Sequence, residues 1–149
     1  MTTPPLRTVL HVADTLLQPT ETFIAQQLKG AQFMPMGLAW ARADPGLALP
    51  CPAMFLTSRL PPTGSGLGHR VRRRLFRPLF EAELIAVLKR LSPALVHAHF
   101  GFTGARIVRA CKGLEIPLVV SFYGYDAGSG SAATFGELFD YASAAIGEG

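Results

Sequence analysis

An α/β fold is what this chain predicts, and two observations predict it. Short runs of Val, Leu and Ile alternate with longer stretches in which apolar residues return every three or four positions, and Pro, Gly or Asp separates the two kinds of segment. Two of the short runs, Pro93-Ala-Leu-Val-His-Ala-His-Phe-Gly101 and Pro117-Leu-Val-Val-Ser-Phe-Tyr-Gly-Tyr-Asp126, deliver polar residues at their carboxyl ends. That is where open α/β sheets hold their ligands.

Taken in order, Leu6 to Val12 mixes β-branched and apolar residues and predicts the first strand, with a turn beginning at Ala13-Asp14. Thr20 or Thr22 can cap the helix that follows. Phe23, Ile24 and Leu28 lie along one face of that helix, Glu21 complements its amino-end dipole, and Gly30 stops it. A second strand is expected from Phe33 to Ala41 and a short third one from Ala53 to Leu56. Leu60 to Gly68 is a Gly and Pro loop. A long helical pattern then runs through Leu91, and Pro78 is expected to divide or kink it. Its second half repeats Leu84, Ile85, Leu88 and Leu91 at helical spacing, whereas the first half has only Val71, Leu75 and Phe76 to bury and is expected at the surface. Leu95 to His99 predicts the fourth strand, Gly104 to Lys112 a helix ended by Gly113, and Leu118 to Phe122 the fifth strand. A last helix over Glu137 to Ala142 and a sixth strand opening at Ala144 to Ile146 complete the expectations.

Strands alternating with helices require a parallel sheet covered on both faces, in Rossmann-like or flavodoxin-like order with right-handed crossovers. With 149 residues and 49% hydrophobic content the chain can bury one core, so residues 1–149 read as one domain. Ending on a strand with no closing helix leads to the expectation of a front part of a longer protein. Apolar stretches are too short for a membrane span, and Met1 to Pro5 lacks the basic and apolar regions of a secretory signal. A cytoplasmic location is therefore expected, with peripheral attachment to the inner face of the membrane as the further option. Cys51 and Cys111 lack CxxC spacing and read as buried thiols rather than a disulfide or zinc framework.

The net charge of +4 is concentrated. Arg70, Arg72, Arg73, Arg74 and Arg77 fall within eight residues, interleaved with Val71, Leu75 and Phe76. Such a run is either a solvated helix face or a patch that meets an anionic membrane surface or acidic partner. No nucleic-acid motif or stacking platform accompanies it, and no nucleic-acid partner is expected.

Three groups of residues could carry chemistry. His97 and His99, two apart on a strand, share one face. They can hydrogen-bond within the sheet edge, hold a metal if a further ligand joins them, or line a cleft in which His99 donates to a phosphate or sugar hydroxyl. Tyr123 and Asp126 follow the fifth strand, and Gly124 permits a sharp turn or close approach of a ligand. Asp126 can accept or orient a hydroxyl proton, or cap the loop after it. Gly64 to Gly68 fits neither the dinucleotide nor the P-loop pattern, and the first turn, Ala13 to Pro19, contains no glycine, which argues against a dinucleotide oxidoreductase.

Together these residues resemble the amino-terminal domain of GT-B glycosyltransferases of the family 4 type. The resemblance rests on Thr20-Glu-Thr-Phe-Ile24, Val96-His-Ala-His-Phe-Gly101, Phe122-Tyr-Gly-Tyr-Asp126 and Ala145-Ile-Gly-Glu-Gly149, in that order along nearly the whole chain. It implies a front Rossmann-like domain that holds the acceptor, a glycan or lipid-linked sugar of polysaccharide biosynthesis. A rear domain, absent from these residues, would bind the nucleotide-sugar donor and supply a glutamate motif. It further implies that Asp126 and His99 are catalytic, that His97, Tyr123, Gly124, Thr20, Glu21 and Thr22 contact substrate, and that the loop from Ala13 to Thr22 lies near the transferred sugar or the donor phosphates. No metal and no cofactor beyond the donor co-substrate is implied, and the domain alone is expected to be inactive. Relatives carry a glycine pair in the first loop and a histidine in the strand-five turn, where this chain has Gln18-Pro-Thr-Glu21 and Tyr123. A phenol is a poor general base near neutral pH, so Tyr123 is assigned to the cleft only.

Overall fold

A computed structural model describes residues 7–29, 32–42, 46–58, 67–124, 126, 135, 136, 139 and 140. Five strands, β1 (Thr8–Leu16), β2 (Met34–Arg42), β3 (Ala53–Phe55), β4 (Leu95–His99) and β5 (Leu118–Ser121), pair in the order β3-β2-β1-β4-β5. All four pairings are parallel. This is the Rossmann order, and the flavodoxin-like alternative does not apply.

Helices α1 (Thr22–Lys29), α2 (Leu67–Leu91) and α3 (Gly101–Gly113) divide between the faces, and strand parity decides which residues meet them. Leu10 and Val12 of β1, Leu38 and Trp40 of β2, and Val96 and Ala98 of β4 pack against Phe80, Leu84 and Leu88 of α2 and Ile107 and Cys111 of α3. Trp40 meets Phe80 edge to face at 5.1 Å. Ala13 and Ala39 point the other way, toward Ile24 and Leu28 of α1. Each fully buried Leu, Ile or Phe contributes about 1.5–3 kcal/mol, so the α2 and α3 face, with the larger cluster, holds most of the fold's apolar stabilisation.

Three expectations need correction. β1 runs to Leu16, so Ala13 and Asp14 lie in the strand and not in a turn. Its ladder with β2 continues to Leu16 opposite Arg42, and the charge of Asp14 is met by Arg106 on α3, which removes the cost of placing a carboxylate there. Pro78 does not divide α2, which is one helix across it. Pro78 is exposed, so the carbonyl that loses its helical partner can bond to water. Phe23 does not join Ile24 and Leu28 in the core; it is 36% exposed and packs on Tyr123 with ring centroids 4.6 Å apart.

α3 begins three residues earlier than expected, at Gly101, where a Cβ would run into the Phe122 ring. Of the helix expected over Glu137 to Ala142, Phe139 and Asp140 are helical. Its remainder, the strand expected at Ala144 to Ile146, Gly30 and the loop up to Gly66 lie outside the described residues. No helix among the described residues is long and apolar enough to cross a membrane.

Candidate functional site

After β3 the chain crosses over β1 to begin β4, so the sheet changes direction between β1 and β4, the switch point at which sheets of this order hold ligands beyond the strands' carboxyl ends. His11, in the first half of β1, and His97, in the middle of β4, are register partners, and His99 lies two residues further on the same face, at the carboxyl end of β4. That face is the α1 face, because Leu10, Val12, Val96 and Ala98 take the other.

The imidazoles form a continuous group. His11 Nδ1 lies 3.1 Å from His99 Nε2, and the two rings stack at 5.3 Å. His97 packs 4.4 Å from His99 and 5.2 Å from His11. On the far side of His99, Nδ1 is 3.0 Å from the Tyr123 hydroxyl, and His97 Nε2 is 2.8 Å from Ser121 Oγ. Two proton arrangements satisfy this chain: His99 donates to Tyr123 and accepts from His11, or Tyr123 donates to His99, which then donates to His11.

His99 is fully buried and His11 nearly so, whereas His97 is half-buried. Burial, followed by repulsion from His97, lowers His11 to about 4. Burial, then His97 and His11, lowers His99 to about 3, and burial alone lowers His97. Near neutral pH the three rings are uncharged, able to accept, donate or ligate, and none is a ready acid.

Asp126 has a different task from a cleft carboxylate. It is fully buried, and its two oxygens accept the Gly101 N–H at 2.5 Å and the Tyr123 N–H at 2.6 Å. The residue preceding α3, Phe100, offers no side-chain acceptor, so Asp126 satisfies an orphan donor of that helix from 25 residues downstream. The same carboxylate fixes the backbone that presents Tyr123. The sequence offered Asp126 as a cap for the loop after it; the backbone it caps lies before it, at Gly101 and Tyr123. Gly124 is exposed, a Cβ there would meet nothing within 4 Å, and its φ is not in the left-handed region, so the turn itself does not call for glycine.

Glu21 is also buried and closes the β1–α1 loop on itself. Its carboxylate accepts the Gln18 N–H at 2.9 Å and the Gln18 side-chain amide at 3.2 Å, while burial raises its pKa against those bonds. Thr20 and Thr22 are exposed on either side of it. Through the Phe23–Tyr123 contact, the opening of α1 and the turn after β5 meet at one rim. The structure thus brings together His97, His99 and Tyr123, with Asp126 holding the Tyr123 backbone, and sets Thr20, Glu21 and Thr22 beside Phe23 at the edge. Arg72, Arg74 and Arg77 belong to another region, exposed along the first half of α2, with Arg77 paired to Glu81 at 2.7 Å. The side chains of Arg70 and Arg73 lie outside the description.

The fold has solved counterparts. The C-terminal domain of a hydrogenase from Pyrococcus furiosus aligns with a TM-score of 0.51 at 10% identity, covering 80% of this chain and 96% of that one. A longer form of the same domain aligns at 0.52 and 11%, covering 82% and 96%. At such identity the likeness shows an α/β fold alone. No protein-family model matches the chain. No curated protein matches it either.

Sequence reasoning missed His11, Ser121 and the group formed by Asp14, Thr103 and Arg106. Thr103 Oγ1 donates to Asp14 Oδ1 at 3.0 Å, Arg106 pairs with Asp14 Oδ2, and the guanidinium lies 5.8 Å from the Trp40 ring. The signal for His11 was its parity: in a sheet where β1 and β4 are neighbours, polar residues on matching faces converge whatever their sequence separation.

Proposed function

We propose that this chain is the acceptor-side domain of a GT-B glycosyltransferase, which transfers a sugar from a nucleotide-sugar donor to a glycan or lipid-linked acceptor in polysaccharide biosynthesis, with the donor held by a second domain. The observation that carries this reading is the meeting of two segments of the resemblance, the opening of α1 and the turn after β5, beside the β1/β4 switch point. The half-buried His97, the Tyr123 phenol and the exposed threonine hydroxyls suit the hydrogen-bonding of sugar hydroxyls, and Phe23 beside Tyr123 offers an aromatic surface at the same edge. Within this reading Asp126 positions and does not touch substrate. Calorimetric titration with oligosaccharides and polyprenyl-diphosphate-linked sugars is the test. Saturable binding weakened by Tyr123→Ala, with no turnover of nucleotide sugars, is the expected result. Turnover by these 149 residues alone, or indifference to every saccharide, overturns it.

A second reading has its own observation. Leu67, Val71, Leu75 and Leu79 recur every four residues along α2, all exposed, Leu67 at 79%, beside exposed Arg72, Arg74 and Arg77. An apolar stripe flanked by arginines suits shallow docking on anionic lipid. Under this reading the chain is a Rossmann-like module that binds membranes or acidic partners. Co-sedimentation with phosphatidylglycerol vesicles, abolished by replacing Arg72, Arg73 and Arg74 with Glu, supports it. Equal recovery with neutral vesicles counts against it.

A further inference from the structure

Three imidazoles from two strands gather on one face of the sheet: a ring nitrogen from each of His11, His97 and His99 lies within 4.8 Å of the others. Among the described residues no other trio of His, Cys, Asp or Glu is so placed. We propose that His11, His97 and His99 form a three-histidine site for a divalent transition metal of the zinc class, with a fourth position open to solvent or ligand. This goes beyond the sugar-transfer reading, whose resemblance implies no metal, and does not depend on it.

The geometry argues for ligation in three ways. First, two imidazole nitrogens bound to one tetrahedral zinc at about 2.0–2.1 Å must stand roughly 3.3–3.4 Å apart. The His11 Nδ1 and His99 Nε2 atoms already stand 3.1 Å apart in a hydrogen bond, so their spacing is close to this bite and a metal has to replace the shared proton and turn the two lone pairs toward itself. Second, a ligating histidine ordinarily gives its other ring N–H to a fixed partner, which sets its tautomer. His99 ligating through Nε2 leaves Nδ1–H for the Tyr123 hydroxyl at 3.0 Å, and His97 holds Ser121 Oγ through Nε2 at 2.8 Å, which leaves its Nδ1 to ligate. Tyr123 is itself held by Asp126, so the outer partner is braced as well. Third, the backbone does the placing. His11 and His97 are fixed by the parallel register of β1 and β4, and only side-chain adjustment separates the observed cluster from a closed one.

Access is asymmetric. His99 and His11 form the buried floor, while His97 is half-buried and its register partner on β5, Val119, is 46% exposed. A metal held by three protein nitrogens would therefore present its remaining position outward, along the side of β5. Three protein ligands plus an open position is the arrangement of catalytic rather than structural zinc sites. Cys51 and Cys111 are no part of the group, so the donor set is all nitrogen.

The test uses the whole chain, stripped with a chelator and titrated with Zn²⁺ against a chromogenic competitor, and separately with Co²⁺ while its visible absorption is recorded. One equivalent of Zn²⁺ bound at submicromolar concentration, and a tetrahedral Co²⁺ spectrum without a thiolate charge-transfer band, are expected. His97→Ala, the least buried of the three, should lose binding while keeping its circular dichroism. Tyr123→Phe, which leaves all three ligands in place, should weaken it about 10–100-fold. Binding weaker than micromolar by the folded wild-type chain, or affinity indifferent to His97→Ala, overturns the proposal. A thiolate band in the Co²⁺ spectrum overturns it equally, by moving the metal to the cysteines.

Discussion

Consecutive residues of β4 serve two faces built on different physics. Val96 and Ala98 enter a cluster closed by α2 and α3, where contact is non-directional and spread over some fifteen side chains. His97 and His99 enter a group in which each ring is held by one or two hydrogen bonds of fixed direction. The first face tolerates exchanges that conserve volume; the second depends on each partner being present. A single sheet can therefore take its stability from one side and keep the other for chemistry, as long as the polar side leaves no buried group without a partner.

The sharpest way to break that contrast is on the apolar side. Phe80→Ala empties the space against Trp40 and should cost about 3–5 kcal/mol, read as a lower denaturant midpoint at unchanged slope, with little effect on the imidazole group. On the polar side the largest loss should come from Asp126→Ala, which strips an acceptor from two backbone N–H groups at once. A loss of about 2–3 kcal/mol is expected, smaller than for Phe80, but accompanied by displacement of Tyr123 visible in its fluorescence.

Acid should separate the faces without mutation. Unfolded histidines take up protons near 6.5, whereas His11 does so in the folded chain only at about 4 and His99 at about 3. Protonation thus favours the unfolded chain. In chelator-treated protein, stability should be full above about pH 6.5 and fall progressively as pH drops toward about 3, a slope reduced by His11→Gln combined with His99→Gln, with His97 supplying what remains. Glu83 supplies a second, smaller leg. Burial pushes its carboxyl up, but hydrogen bonds from Thr57 and Ser58 outweigh it and hold the pKa at about 2. Its contribution is present above pH 4.5 and lost as pH falls through 2, and Glu83→Gln should flatten that part of the profile alone. Last, Arg77→Ala removes an exposed i,i+4 pair with Glu81 and should change stability by no more than about 0.5 kcal/mol.

The same contrast explains what the sequence could disclose. β4 is legible to the residue because Pro93 bars a helix before it and the apolar alternation stops at His99. β1 is legible only in its first half. Asp14 and Thr15 carry turn propensity, and the partner that keeps Asp14 in a strand, Arg106, lies on a helix 92 residues away. His97, His99 and Tyr123 stand out because a strand end followed by polar residues is a local pattern. His11 shows no such pattern, since a single imidazole in a strand is silent until the strand's neighbour is known. Asp126 was visible as a carboxylate, but whether it faced a ligand or the backbone depended on where α3 begins.

The contact between His11 and His99 spans 88 residues of chain, and that separation bears on how the protein comes into being. β1 sits at the centre of the sheet and is synthesised before the other four strands, yet one of its edges has no partner until β4 has followed. A nascent chain can pair β1 with β2 early, but the edge of β1 that will receive β4 stays bare through the synthesis of β3 and all of α2. Closing so long a loop is slow, and an unpaired strand edge is an invitation to other chains in the meantime. The imidazole group thus assembles late, and the contact between His11 and His99 reports that β1 and β4 have paired.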